Sequence, residues 1–267
     1  MTADQLVVEG LVVEYPTQGG PFRAVDDVSF RVPRGGSLAV VGESGSGKST
    51  IARSLVRLVT PTSGRILLDG TDVAQMPERS LRPLRRKIQM IFQDPYGSLD
   101  PHMTAEEIVA EPLALRGMRN KSERAAQAAT LLDRVGLPDS ARHRMPAEFS
   151  GGQRQRIGIA RALASDPELL VCDEATSALD VSVQAQVLRL LQELREETGL
   201  TFVVISHNLG VVRELSTEIV VLSRGRIVES GATRDVLAAP RHEITRALRR
   251  AALDPAAIRG RKPRAHA

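Results

Sequence analysis

The sequence predicts an α/β fold: a mostly parallel sheet with helices on both faces, preceded by a β-rich region and interrupted by a helical insertion. Three observations predict it. Short apolar runs at 38–41, 169–172, 201–205 and 219–222 alternate with helical stretches, the pattern of parallel strands joined by helices. A glycine-rich stretch, Gly42 to Ser49, lies between one such strand and the helix after it. The region of about 95–165 loses strand character and becomes Ala/Leu-rich.

Each element has a local reason. Residues 6–8, 11–13 and the alternating Val28, Phe30 and Val32 carry the period-two pattern of strands. Turns are predicted at Gly19-Gly20-Pro21 and Pro33-Arg34-Gly35-Gly36. Residues 38–41 form a short buried strand, 51–58 a helix, 66–68 a strand ending in the turn Asp69-Gly70, and 88–92 a strand ending at Gln93. Thr104 followed by Glu107 is a capping box that opens a helix. A second helix covers 122–135 and stops at Gly136-Leu137-Pro138, and a third covers 153–164. After the strand at 169–172, Val183, Val187, Leu190, Leu191 and Leu194 share one helical face, which Gly199 ends.

Bulk composition narrows the class. A chain of 267 residues with 42% hydrophobic and 25% charged residues buries a sizeable core, and 3% aromatics make that core aliphatic. No apolar run approaches the roughly 20 residues that span a bilayer. The first residues lack a secretory pattern, and the single cysteine, Cys172, excludes an internal disulfide, so the chain reads as cytosolic. From Arg241 onward eight Lys/Arg stand against two Asp/Glu. This basic tail, with Arg246, Arg249, Arg250, Arg259, Arg261, Lys262 and Arg264, has no interleaved aromatic residue. It reads as a solvated end, and no nucleic-acid partner is expected.

Two helix starts are glycine-rich. Gly42-Glu43-Ser44-Gly45-Ser46-Gly47-Lys48-Ser49 matches G-x-x-x-x-G-K-[ST] in its strand-to-helix context. Its backbone N–H groups can surround phosphate oxygens, Lys48 reaches the β- and γ-phosphates, Ser49 offers a hydroxyl to Mg²⁺, and Thr50 meets the α-phosphate. Ser150-Gly151-Gly152-Gln153 opens a second helix, and its paired glycines require a close backbone approach or an unusual φ. Asp173 and Glu174 follow a buried strand. Beside a phosphate loop, Asp173 can hold Mg²⁺ and Glu174 can polarise an attacking water.

The order of these motifs, with Gln93 at a strand end, Ser177-Ala178-Leu179-Asp180 and His207, resembles the ATP-binding subunit of an ABC transporter over nearly the whole chain. The resemblance implies a P-loop NTPase (RecA-like) ABC nucleotide-binding domain with an N-terminal antiparallel β subdomain and an inserted helical subdomain. It makes residues 1–235 the cassette, with 95–165 as the helical subdomain, and 236–267 a basic C-terminal extension. It makes Gln93 the Q-loop glutamine, sensing Mg²⁺ and the attacking water. Ser150, Gly151, Gly152 and Gln153 become the signature motif, after Phe149 where Leu is commoner. Asp180 ends the D-loop, and His207 is the switch histidine. Tyr15 is the candidate for stacking on adenine, with Phe22 its competitor.

The stretches 93–101, 150–163 and 177–188 resemble the oligopeptide, dipeptide and nickel importer ATPases. The segment 242–248 is similar too, with Glu243-Ile244 where Pro-Tyr is common, and Ala175 stands where Pro is commoner. The implied function is ATP hydrolysis with Mg²⁺ that drives solute import through a separate permease at the cytoplasmic face of the membrane. The implied partners are a second cassette, identical or different, and indirectly an extracytoplasmic solute-binding protein. The alternative is a non-transport ABC ATPase acting on DNA or the ribosome. The repair type needs a long coiled-coil insertion between phosphate loop and signature, and the ribosome-acting type carries two cassettes per chain. This sequence has neither.

Overall fold

The computed structural model describes residues 3–94, 97–177 and 179–253. Pro95, Tyr96, Ala178 and the basic residues from Arg259 onward lie outside the described residues. The chain begins with β1 (Asp4–Thr17), β2 (Gly20–Pro33) and β3 (Ser37–Gly42), then α1 (Lys48–Leu55), β4 (Ser63–Leu68), β5 (Thr71–Asp72), α2 (Glu78–Lys87) and β6 (Ile88–Ile91). Helices α3 (Ala105–Leu115), α4 (Lys121–Arg134) and α5 (Gly151–Ala164) follow without a strand between them. Then come β7 (Leu169–Asp173), α6 (Val181–Thr198), β8 (Thr201–Ile205), α7 (Leu209–Leu215), β9 (Glu218–Ser223), β10 (Arg226–Ala232), α8 (Thr233–Ala238) and α9 (Glu243–Leu253).

Two sheets result. One is antiparallel, in the order β2-β1-β4-β5. The other runs β10-β9-β3-β8-β7-β6, parallel from β9 to β6, with β10 antiparallel at its edge. Strand side chains alternate between faces, and here both faces are buried. Leu38, Val40, Leu169, Val171, Val203 and Ile205 join a core with α1 and the antiparallel sheet. Leu170, Cys172, Phe202 and Val204 point the other way, into a core shared with α3, α4, α5 and α6. Ala39, Val41, Ile219 and Val221 form a third cluster with α7, against which Ile244 and Leu248 of α9 pack.

The apolar runs at 6–8 and 11–13 belong to one strand, β1, rather than two. The register shifts between Val8 and Leu11, and Gly10 sits at φ 56°, so a bulge explains the break in the pattern. Helix α2 escaped the pattern because only Leu81 is buried on it and Pro83 lies inside it. The boundary drawn at residue 235 falls within α8, and α9 is fastened to the main sheet. The helix starts behave as expected: Thr104 and Glu107 form a complete capping box on α3, and Gly199 closes α6 at φ 64°.

Candidate functional site

The parallel strands deliver their chemistry to one edge, because adjacent parallel strands end side by side. β3 ends in the phosphate loop. Gly42, Gly45 and Gly47 all have positive φ, at 157°, 77° and 105°. At Gly47 a Cβ would lie 2.4 Å from the Ala24 carbonyl oxygen, so the loop is pressed against β2. Gly47 caps α1 without any side-chain hydrogen bond. The N–H groups of the first turn therefore remain available to an anion. Lys48 is buried and folds back over the loop, donating to the carbonyls of Gly42 at 3.0 Å and Glu43 at 2.8 Å. Burial lowers its pKa, against the opposing pull of Glu174 and Asp173.

Asp173 and Glu174 leave the end of β7 in opposite circumstances. Asp173 is 3% exposed and accepts a hydrogen bond from the Ser49 hydroxyl at 3.2 Å. Burial raises its pKa, with the Ser49 bond working in the other direction. Among the described residues no three His, Cys, Asp or Glu cluster as a metal cage. A hydroxyl beside a carboxylate is nevertheless a hard-oxygen pair of the kind that suits Mg²⁺ completed by phosphates. Glu174 adopts φ 46°, a left-handed conformation rare for a side-chain-bearing residue, while its N–H donates to the Ile205 carbonyl at 3.0 Å. That turn aims the carboxylate into the cleft. There Gln93 Nε2 donates to Oε2 at 2.8 Å, and His207 Nδ1 lies 3.0 Å from Oε1. Gln93, Glu174 and His207 come from the ends of β6, β7 and β8, three neighbours in the sheet.

A cleft of about 1100 Å³ gathers this edge. It is lined by Gly42, Glu43, Ser44, Gly45, Gly47, Lys48, Ser49, Thr50, Gln93, Glu174 and His207. Tyr15 and Phe22 line it too and face each other across the β1–β2 ladder, so both rings stand on one face. Tyr15 is half-buried, with its hydroxyl 3.5 Å from Thr50 Oγ1, whereas Phe22 is 56% exposed. Cys172 is buried behind the site, its pKa pushed up to about 12 by burial, and remains an inert core residue.

Ser150, Gly151, Gly152, Gln153 and Asp180 do not line this cleft. Ser150 and Gln153 form a capping box on α5, with Gln153 N–H donating to Ser150 Oγ at 3.3 Å and Ser150 N–H to Gln153 Oε1 at 3.0 Å. Gly152 is there for packing, since a Cβ would meet Val183 Cγ1 of α6 at 2.2 Å. Asp180 caps α6, accepting from Val183 N–H at 3.0 Å. The cleft has one further wall, formed by Asn208, Leu209 and Gly210 with Leu248, Ala251 and Ala252 of α9. Of these α9 residues, Leu248 lies in the importer-like stretch 242–248, and Ala251 and Ala252 belong to no motif.

Comparison with known proteins agrees with this geometry. The ABC transporter family model matches residues 25–177. A probable peptide ABC transporter ATP-binding protein of Sinorhizobium fredii is 49% identical over 96% of this chain and 74% of its own length. The oligopeptide transport ATP-binding protein AppF of Bacillus subtilis is 49% identical over 86% of this chain and 70% of its own. A dimeric ATP-binding cassette solved in a post-hydrolysis state with ADP and Pi superimposes with a TM-score of 0.80 at 32% identity, covering 86% of this chain and 99% of that one. The chain belongs to the ABC transporter family as an ATP-binding, ATP-hydrolysing cassette.

Proposed function

We propose that this cassette powers peptide import through a separate membrane permease, working at the cytoplasmic face as one of two cassettes that close on each other. The names of its relatives support the cargo, and those called peptide import ATP-binding proteins support the direction of transport. In the complete importer an extracytoplasmic solute-binding protein delivers the peptide. One observation carries the mechanism: the Glu174 carboxylate is held between Gln93 and His207 at the mouth of the phosphate-loop cleft.

Each residue then has a task. Lys48 and the open first turn of α1 hold the β- and γ-phosphates, and Tyr15 and Phe22 form a platform for adenine. Ser49, Asp173 and Gln93 are the residues that would hold Mg²⁺, which would supply neutralisation of charge on the transferred phosphoryl group. Glu174 accepts the proton of the attacking water while His207 orients the carboxylate and meets the γ-phosphate. Ser150, Gly151, Gly152 and Gln153, which stand outside this chain's own cleft, close on the nucleotide of the second cassette, with Asp180 at the contact.

The test is co-purification with the permease in vesicles, followed by uptake of a labelled oligopeptide. Glu174→Gln is expected to bind ATP, to lower turnover by at least about a hundredfold and to stop uptake. Full turnover by that variant removes Glu174 as the base. Uptake of some other solute, but of no peptide, removes the cargo assignment and leaves the ATPase intact.

A further inference from the structure

The wall that α9 gives to the cleft is a built feature. At its start, Glu229 of β10 accepts from the backbone N–H groups of Arg241 at 2.9 Å and His242 at 3.0 Å. Along its length, Arg246 donates to the Pro240 carbonyl at 3.1 Å and Arg249 to the Ala238 carbonyl at 2.9 Å. On its inner face, Ile244 and Leu248 pack against the cluster that contains Leu209 and Val212 of α7 and Ala39 and Val41 of β3. Its last turns, with Leu248, Ala251 and Ala252, then reach the lip of the cleft beside Asn208, Leu209 and Gly210.

That location matters for His207. Its side chain is 59% exposed and reaches Glu174 across 3.0 Å. Its position therefore depends on the backbone turn that carries it. This turn is tied locally by Ser206 Oγ, which accepts from Asn208 N–H at 3.0 Å, and by the Asn208 side chain, which accepts from Gly210 N–H at 2.9 Å. Beyond it lies α7, only seven residues long. A helix this short has no stability of its own and is placed by tertiary packing. Leu209, 7% exposed and two residues after His207, supplies that packing, and Leu248 is half-buried against the same cluster.

We infer that Leu248 is a positioning residue for His207: the C-terminal helix, through Leu209, fixes the turn that presents the histidine to Glu174. The inference rests on the role given to His207 under Proposed function. It makes α9 part of the ATP site rather than an appendage. Deleting buried methyl groups leaves a void into which the neighbouring turn can relax, and small displacements of reacting groups are costly in rate.

The experiment is a double-mutant cycle on the full chain assembled with its permease, reading kcat, KM and ATP affinity. Leu248→Ala is expected to lower kcat about tenfold with ATP affinity within about twofold, and Leu248→Met to restore most of the loss. In a His207→Ala background, Leu248→Ala is expected to add less than about a twofold further loss, because the two act through one group. Equal losses in both backgrounds, or a parallel loss of ATP affinity, overturn the inference. So does an unaltered kcat in Leu248→Ala alone. Should the alanine variant fail to fold, Leu248→Val gives the same cycle with a smaller void. An unaltered kcat in His207→Ala instead removes the role of His207 itself, an outcome distinct from the others.

Discussion

Two helices in this cassette begin in glycine-rich sequence, and the structure treats them differently. At the start of α1, Gly47 lies in the left-handed region and no side chain caps the helix. At the start of α5, Ser150 is extended at φ −66° and ψ 163°, and a capping box satisfies the N–H groups of Ser150 and Gln153. The first start is therefore open toward an anion within its own chain, while the second is partly capped and lies outside the cleft. The glycines differ as well. Gly47 is required by its φ and by the Ala24 carbonyl, and Gly152 by Val183. Among the described residues, Gly151 has neither a positive φ nor a neighbour nearer than Leu179 Cδ2 at 4.0 Å, so none of them requires glycine there. A glycine without an internal reason, on a helix start facing outward, is what a surface for a second cassette needs.

The sharpest way to break this comparison is Gly47→Ala. The new methyl meets a backbone oxygen and the backbone is held at φ 105°, so neither problem is relieved by a rotamer change. The expected cost is about 3 kcal/mol or more, with loss of ATP binding. Chemical denaturation and a nucleotide-binding titration check both. Normal ATP affinity in that variant would show that the open turn of α1 is not the phosphate site.

Gly152→Ala and Gly151→Ala separate packing from contact. The first overlaps a side chain, so destabilisation of about 1–3 kcal/mol is expected, relieved by adding Val183→Ala. The second is expected to leave stability within about 0.5 kcal/mol and ATP binding unchanged. It should nevertheless slow turnover of the assembled transporter several-fold. If Gly151→Ala destabilises the isolated chain as much as Gly152→Ala does, the outward-facing reading of α5 is wrong.

Much of this was legible before any coordinates. The phosphate loop, the carboxylates after β7 and the capping box at Thr104 are local patterns whose residues lie close in sequence. The convergence of Gln93, Glu174 and His207 was readable only because each ends a strand, and parallel strands end together. What stayed hidden has non-local causes. The reason for Gly152 is on α6, the bulge at Gly10 joined two runs that looked like separate strands, and α2 carries one buried residue on a charged helix. The stretch 242–248 carried a family likeness but no place in the fold. Ile244 and Leu248 are meaningful only once α7 and β3 are seen beneath them.

The smallest expected effect concerns the residue that steadies the wall against which Gly152 packs. Asp180 accepts from Val183 N–H at 3.0 Å and from the Ser182 hydroxyl at 2.7 Å. The Val183 backbone bond first, and the Ser182 bond after it, hold its carboxyl below the usual range. A carboxyl lowered on folding contributes stability that is present above its unfolded value, about 3.9, and lost as pH falls through the folded one. Asn caps a helix about as well as Asp but does not titrate, and it lacks the charge that favours a helix N-terminus. Asp180→Asn is therefore expected to lower the Tm by about 1–2 °C at pH 7, with the gap closing as the pH falls below the unfolded value of about 3.9 and through the lower folded one. Because Val183 stays capped, Gly152 keeps its partner, and the variant should bind ATP as the wild type does. A gap that persists unchanged at low pH would mean that the charge of Asp180 does not support the α6 start, and that the hydrogen bond alone sets the α5–α6 contact.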